Sequence, residues 1–220
     1  MKHLISLILM RVRGRIRSGP IHTPNRISTS SRTYADVTAG PPTGNTATGD
    51  VRRRCSKPTV TVIGNSNVRG LATKLSSHGV DATGFVYSGT PTAEIRRRLK
   101  HCVPAGRKQP PSHVVLHTGD IDIRQNPTNA EREVLDAISE TLRLFPQSKV
   151  LVSTPSAQSR DQMLKYRIKT LNRKIKDKCD SVPELSFIDC TNLPLRDNIH
   201  FSKSSKKEQA AMIARCLNYT

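Results

Sequence analysis

Five short runs rich in Val, Ile and Leu alternate along this chain with segments of helical periodicity, and that alternation leaves few folds open. The runs are Val60 to Gly64, Ala82 to Tyr87, His113 to His117, Lys149 to Ser153 and Leu185 to Ile188. Short apolar runs that stop at turn residues read as buried strands. Helical segments fall between and after them. Leu71 and Leu75 precede Gly79, and Ile95 and Leu99 stand four apart within Thr92 to Leu99. Glu131 to Phe145 carries Val134, Leu135, Ile138, Leu142 and Phe145 on one face. A long basic helix runs through Met163, Ile168, Leu171 and Ile175, and a last one from about Ser204 carries Ala210, Ile213, Ala214 and Leu217. Such repetition implies a parallel sheet covered on both faces. With right-handed crossovers, the expected fold class is α/β, a three-layer α/β/α sandwich with a five-stranded parallel sheet.

The ordered domain is expected over 58–220. Before it, Ser18 to Lys57 is mostly Ser, Thr, Gly, Pro, Arg and Asn without hydrophobic periodicity, so residues 1–57 read as a disordered basic tail. That tail holds 11 Lys/Arg against two Asp, and the remaining 163 residues hold 25 basic against 15 acidic ones. A total of +19 favours polyanionic partners, so nucleic acid is a possible partner through the tail and the basic surface. The bland reading is a solvated basic surface. Arg96, Arg97 and Arg98, and Lys174, Lys176 and Lys178, fit solvated helix faces. The eight Phe and Tyr are not interleaved with the basic clusters.

Cys55, Cys102, Cys179, Cys190 and Cys216 are odd in number and far apart, without zinc-type spacing, so no metal is expected. They read as reduced, mostly buried residues of an intracellular protein. The apolar run Leu4 to Met10 is too short to span a bilayer, so no transmembrane segment is expected. A cytoplasmic location is the first reading; the Arg-rich, acid-poor start makes mitochondria the alternative, with secretion third.

The first strand stops at Gly64 and leads through Asn65 to Ser66, with a helical segment beginning near Asn67. This puts the Ser66 hydroxyl at the carboxyl edge of the sheet, where ligands of open parallel sheets bind, and at a helix start that favours negative charge. A serine nucleophile needs a base held by a carboxylate. Asp197 and His200, three apart before the last helix, supply that pair, with Asp197 expected at Nδ1 and Nε2 left to face Ser66. Other readings are that Ser66 caps the helix, that His200 and Asp197 only pin a loop, that Gly89 supplies a tight turn, that Asp122 fixes its own loop, and that His117 is a satisfied, partly buried histidine.

Over roughly 58–220 the chain resembles the SGNH/GDSL hydrolase superfamily, whose fold is flavodoxin-like. Gly64-Asn65-Ser66-Asn67 is similar to the family's nucleophile block, Gly89 to its oxyanion-hole glycine, Gly119-Asp120-Ile121-Asp122 to its Gly-x-Asn-Asp block, and Asp197 and His200 to its Asp-x-x-His block. The leader, including Tyr34 to Val37, resembles esterase-type domains of retroelement-encoded and related invertebrate reading frames. The resemblance implies a serine esterase for small acyl esters or acetylated substrates, without cofactor. Ser66, Asp197 and His200 would be catalytic, and the amides of Ser66 and Gly89 would hold the oxyanion. Asn67, Gly119, Asp120, Asp122 and Arg124 are candidates for the substrate pocket, with Arg124 expected to pair with Asp120 or Asp122. Two positions depart from the pattern: Asn65 replaces Asp, and Ile121 replaces the oxyanion-hole Asn. Loss of one such donor costs about 100–1000-fold in rate, so weak activity is expected. The alternative is a non-catalytic module of the same fold that binds RNA or DNA, as a retroelement accessory protein would.

Overall fold

The computed structural model describes residues 57–105 and 109–218. The basic leader and Cys55 lie outside the described residues. Five strands form one sheet: β1 (Thr59–Gly64), β2 (Asp81–Val86), β3 (His113–His117), β4 (Lys149–Ser153) and β5 (Leu185–Ile188). All four pairings are parallel, and the order is β2-β1-β3-β4-β5. The helices are α1 (Leu71–Ser76), α2 (Thr92–Arg98), α3 (Asp122–Gln125), α4 (Pro127–Leu144), α5 (Gln162–Asp180) and α6 (Lys203–Asn218).

Alternation within each strand sorts side chains into two cores. Ile63, Val114, Leu116, Val150 and Val152 join Ile95, Ile138, Leu171 and Ile175 under α2, α4 and α5. Val62, Val115, Leu151 and Ile188 face the other way, onto Leu71 and Leu75 of α1 and Ile213 and Leu217 of α6. The three-layer sandwich read from the sequence is therefore the observed architecture. The strand order fixes where a ligand crevice opens. From β1 the chain turns outward to β2, then crosses back to place β3 on the other side of β1. Ligands of open α/β sheets bind at the carboxyl ends of the strands beside such a reversal. Ser66 follows β1 there, and Gly119 to Asp122 follow β3.

Several boundaries differ from the sequence reading. The helix after β1 is interrupted. Ser66–Val68 is a single 3-10 turn, Gly70 is left-handed at φ 75°, and α1 then runs only six residues. The helix-dipole argument at Ser66 loses its basis, because one turn sums few peptide dipoles. Helix α4 begins at Pro127, four residues earlier than expected, because proline at the first helical position gives up no needed hydrogen bond. Helix α3 lies in a segment read as loop; it is one turn long and has no hydrophobic period to betray it. In α5, Asp161 Oδ1 accepts from the Met163 and Leu164 amides, so the helix has the usual acidic start.

Gly64 is fixed by close approach. A Cβ there would lie 2.3 Å from the His117 carbonyl oxygen and 3.0 Å from Val68 Cγ1. Gly64→Ala should therefore force β1 and β3 apart at the end that carries Ser66. A loss of about 1–3 kcal/mol is expected in urea unfolding, while Gly84→Ala on the exposed edge strand, where a Cβ meets the Ala72 methyl at 3.4 Å, serves as the milder control.

Candidate active site

Ser66 sits on the 3-10 turn after β1 and is half-buried. Asn65, not Ser66, caps that turn: its Oδ1 accepts from the Asn67 amide at 2.9 Å. Among the described residues the Ser66 hydroxyl makes no hydrogen bond, so it is not consumed by capping, and the expected contact with His200 Nε2 is not formed either. The Ser66 and Gly89 amides likewise donate to no acceptor among the described residues, and Gly89 is left-handed at φ 68°.

Asp197 and His200 share a tight loop closed by the Leu195–Phe201 bridge and an Arg196 amide to His200 carbonyl bond of 2.7 Å. Asn198 takes φ 63° at its tip, a conformation asparagine tolerates better than most residues. Asp197 Oδ1 accepts from the Ile199 and His200 amides at 3.2 and 2.8 Å. Its Oδ2 lies 2.9 Å from His200 Nδ1. The backbone and side-chain bonds from His200, then Arg196, hold the Asp197 carboxyl well below the usual carboxylate range. The ring's other nitrogen, Nε2, is thus left on the side away from the carboxylate.

The link between this loop and Ser66 is Asn67. Its Nδ2 donates to the Ile199 carbonyl at 3.2 Å, and its Oδ1 accepts from the Phe201 amide at 2.9 Å. One side chain, adjacent to Ser66, therefore grips the residues on either side of His200. Asn67 is in turn held by Asp120, whose Oδ1 accepts from Asn67 Nδ2 at 3.2 Å and whose Oδ2 accepts from Asn65 Nδ2 at 2.7 Å. Asp120 Oδ2 also lies 2.9 Å from His117 Nε2, a close contact off the axis of a good hydrogen bond. Burial opposes ionisation of Asp120, but His117, Asn65 and the Asp120 amide together outweigh it and leave the carboxyl below its ordinary range.

This alters the reading of three pocket candidates. Asn67, Asp120 and Asp122 are buried and turned toward other protein groups, not toward an open pocket. Asp122 binds the Thr92 amide through both oxygens, at 3.0 and 3.1 Å, and the Thr92 hydroxyl at 2.5 Å. The loop-fixing alternative describes Asp122 best. Arg124 does not pair with Asp120 or Asp122, because those carboxylates are already enclosed; its Nη2 donates to the Asn198 carbonyl at 2.6 Å. Gly119 takes φ 101° where Val134 Cγ2 would sit 3.0 Å from a Cβ, so its role is to let the loop pass over α4. Ile121 precedes α3 and offers no side-chain donor.

The sequence reading missed a polar chain beneath the site. His117 is fully buried, not partly so. Its Nδ1 contacts Ser153 Oγ at 3.1 Å, and Ser153 Oγ also accepts from Gln209 Nε2 at 2.8 Å and lies 3.3 Å from Cys190 Sγ. Ser153, His117 and Asp120 mimic a catalytic set, but Ser153 and His117 are 1% and 0% exposed, so no substrate reaches them. The available signal was a histidine and a serine ending otherwise apolar core strands. Burial drives the Cys190 thiol up to about 12. The wide charged groove elsewhere, lined by Arg96, Arg97, Lys100, Asp136 and Arg143, is built from α2 and α4 and does not include Ser66 or His200.

Among the described residues no cluster of His, Cys, Asp and Glu could hold a metal ion, and no helix is long and apolar enough to cross a membrane. No protein-family model matches the sequence, and no curated protein matches it. Solved structures do match in fold. A member of the lipolytic G-D-S-L family from Veillonella parvula superimposes with TM-score 0.63 at 14% identity, over 74% of this chain and 99% of that one. A family 3 carbohydrate esterase from Clostridium thermocellum gives 0.57 at 14%, over 73% and 98%. A GDSL-like lipase from Bacteroides thetaiotaomicron gives 0.59 at 16%, over 73% and 88%. The chain thus has the SGNH/GDSL hydrolase fold. At these identities the likeness is one of architecture.

Asp120 provides a test of the buried network. Its depressed carboxyl gives stability that is present above the unfolded-state value of about 3.9 and is lost as pH falls through the folded one. Asp120→Asn should therefore unfold at lower urea than the parent at pH 7, and the two midpoints should converge as pH drops below about 4.

Proposed function

We propose that the protein is a serine esterase of the SGNH type. Ser66 attacks the ester carbonyl, His200 takes its proton through Nε2 and returns it to the leaving alcohol, and Asp197 orients the ring and stabilises its charge. Water then releases the acyl group by the same path in reverse. Support comes above all from Asn67, which ties the Ser66 turn to both neighbours of His200 at 2.9 and 3.2 Å. The free amides of Ser66 and Gly89 are the donors for the oxyanion, and no cofactor enters the scheme. Small acyl esters or acetylated substrates fit this reading, in line with the esterase and lipase descriptions of the structural neighbours.

Ile121 sets the expected rate. Oxyanion donors aimed at the developing charge are each worth about 100–1000-fold, so two amides without a side-chain donor give slow turnover. The alternative of a nucleic-acid module draws on the net charge, the basic leader and Ile121 in place of the oxyanion-hole Asn; the interlocked geometry around Ser66 does nothing for that role. We also take 58–220 as the hydrolase unit.

p-Nitrophenyl acetate hydrolysis by the full chain should vanish in Ser66→Ala, whose fold and melting point should be unchanged because the hydroxyl makes no hydrogen bond among the described residues. Equal rates for parent and variant would refute the proposal. Ile121→Asn should raise kcat by up to about 100-fold on the same ester.

A further inference from the structure

We infer that the ester substrate carries a negative charge close to the reacting carbonyl, held by a rim of cations around Ser66 and His200. This deepens the esterase reading and rests on it. Cations stand on the β1 turn and the last loop, and on α3 and α6 beside them. Arg69, three residues after Ser66, donates from Nη2 to Ser88 Oγ at 2.7 Å, beside Gly89. Lys206 at the start of α6 donates from Nζ to the Arg69 carbonyl at 3.2 Å. Arg196 lies next to Asp197, and Arg124 grips the Asn198 carbonyl at 2.6 Å. Two of these cations, Arg69 and Arg196, belong to the loops that carry Ser66 and His200, and Arg124 of α3 and Lys206 of α6 are hydrogen-bonded to those loops.

Nearby negative charge offsets them only in part: Asp197 pairs with Arg196. Asp120 and Asp122 are buried and enclosed by protein donors. Asp197 is shared between His200 Nδ1 at 2.9 Å and Arg196 Nη2 at 3.0 Å. Glu208, two residues past Lys206, is the exposed carboxylate that remains on that turn of α6. Burial above all, and to a lesser degree Arg196, Arg69 and Lys74 around it, pull the Lys206 ammonium below its ordinary range. Arg124 contributes through its charge, since its Nη2 is engaged with the Asn198 carbonyl and its Nε is shielded from solvent. A carboxylate or phosphate on the substrate would relieve the repulsion at the exposed Arg69 and Arg196 side of the rim. Anionic groups are also concentrated near a surface of net positive charge.

The test compares 4-acetoxybenzoate with its neutral isostere 4-acetoxybenzamide, using the full chain. We expect kcat/KM at least about tenfold higher for the anion at low salt, a ratio that collapses toward one in 0.5 M NaCl and in Arg124→Gln/Arg196→Gln. Inorganic phosphate and acetate, tried separately as competitors, identify which anion the rim prefers; inhibition by neither overturns the proposal. A ratio of one or below in the parent also overturns it while leaving the esterase reading intact. If neither ester turns over, the esterase reading fails, and the rim is read from amide shifts in Ser66→Ala titrated with both compounds. Salt-sensitive shifts at Gly89, Asn198 and His200 with the anion alone uphold the rim. Shifts confined to residues 1–57, or equal for the two compounds, overturn it.

Discussion

Two hydrogen bonds from one buried amide organise this site. Asn67 is separated from the last loop by more than 130 residues of sequence, yet it meets the Ile199 carbonyl and the Phe201 amide at once. Around it the other loops close a ring. Arg69 joins the β1 turn to Ser88, Thr92 joins the β2 turn to Asp122, and Arg124 joins the β3 turn to Asn198. No single bond in the ring is strong; neutral ones are worth about 0.5–1.5 kcal/mol and those to charged groups about 1.5–3 kcal/mol. Their value lies in mutual constraint. Each loop is held at two places, so Ser66 and the Asp197–His200 pair cannot drift independently.

The ring works because its foundation is rigid and dry. Asp120 would be a costly buried charge if it stood alone. Here it accepts from two asparagine amides and contacts His117, which leans on Ser153 and packs its ring 5.4 Å from Phe201. The polar chain therefore runs from Gln209 in α6, across the ends of β4 and β3, to the turn that carries Ser66. Removing one member leaves its partners unsatisfied in a water-free place, which is why such networks tend to act as a unit. The proposed chemistry would sit on top of this chain and not pass through it.

Much of the architecture was legible in the sequence because strand alternation and helical periodicity survive averaging over neighbours. Val60 to Gly64 and His113 to His117 could hardly be anything but buried strands. What stayed hidden depended on single contacts. Helix α3 is too short to show a period, and Pro127 reads equally as loop or helix start. The pairing of Asp122 with Thr92 joins residues 30 apart, and that of Asn67 with Phe201 joins residues 134 apart. Side-chain amides and carboxylates carry no periodic signature, so only the fold reveals their partners. Arg124 illustrates this: sequence proximity favoured Asp120 or Asp122, whereas enclosure of those carboxylates sends the guanidinium to Asn198.

The most direct test of the account is where a fluorophosphonate probe attaches. After reaction with the full native chain, peptide mapping by mass spectrometry should find one adduct, on Ser66, that disappears when the chain is first unfolded in urea. Absence of any Ser66 adduct, or labelling spread over surface serines and tyrosines that persists in urea, would contradict a serine activated by the loop that Asn67 holds in place.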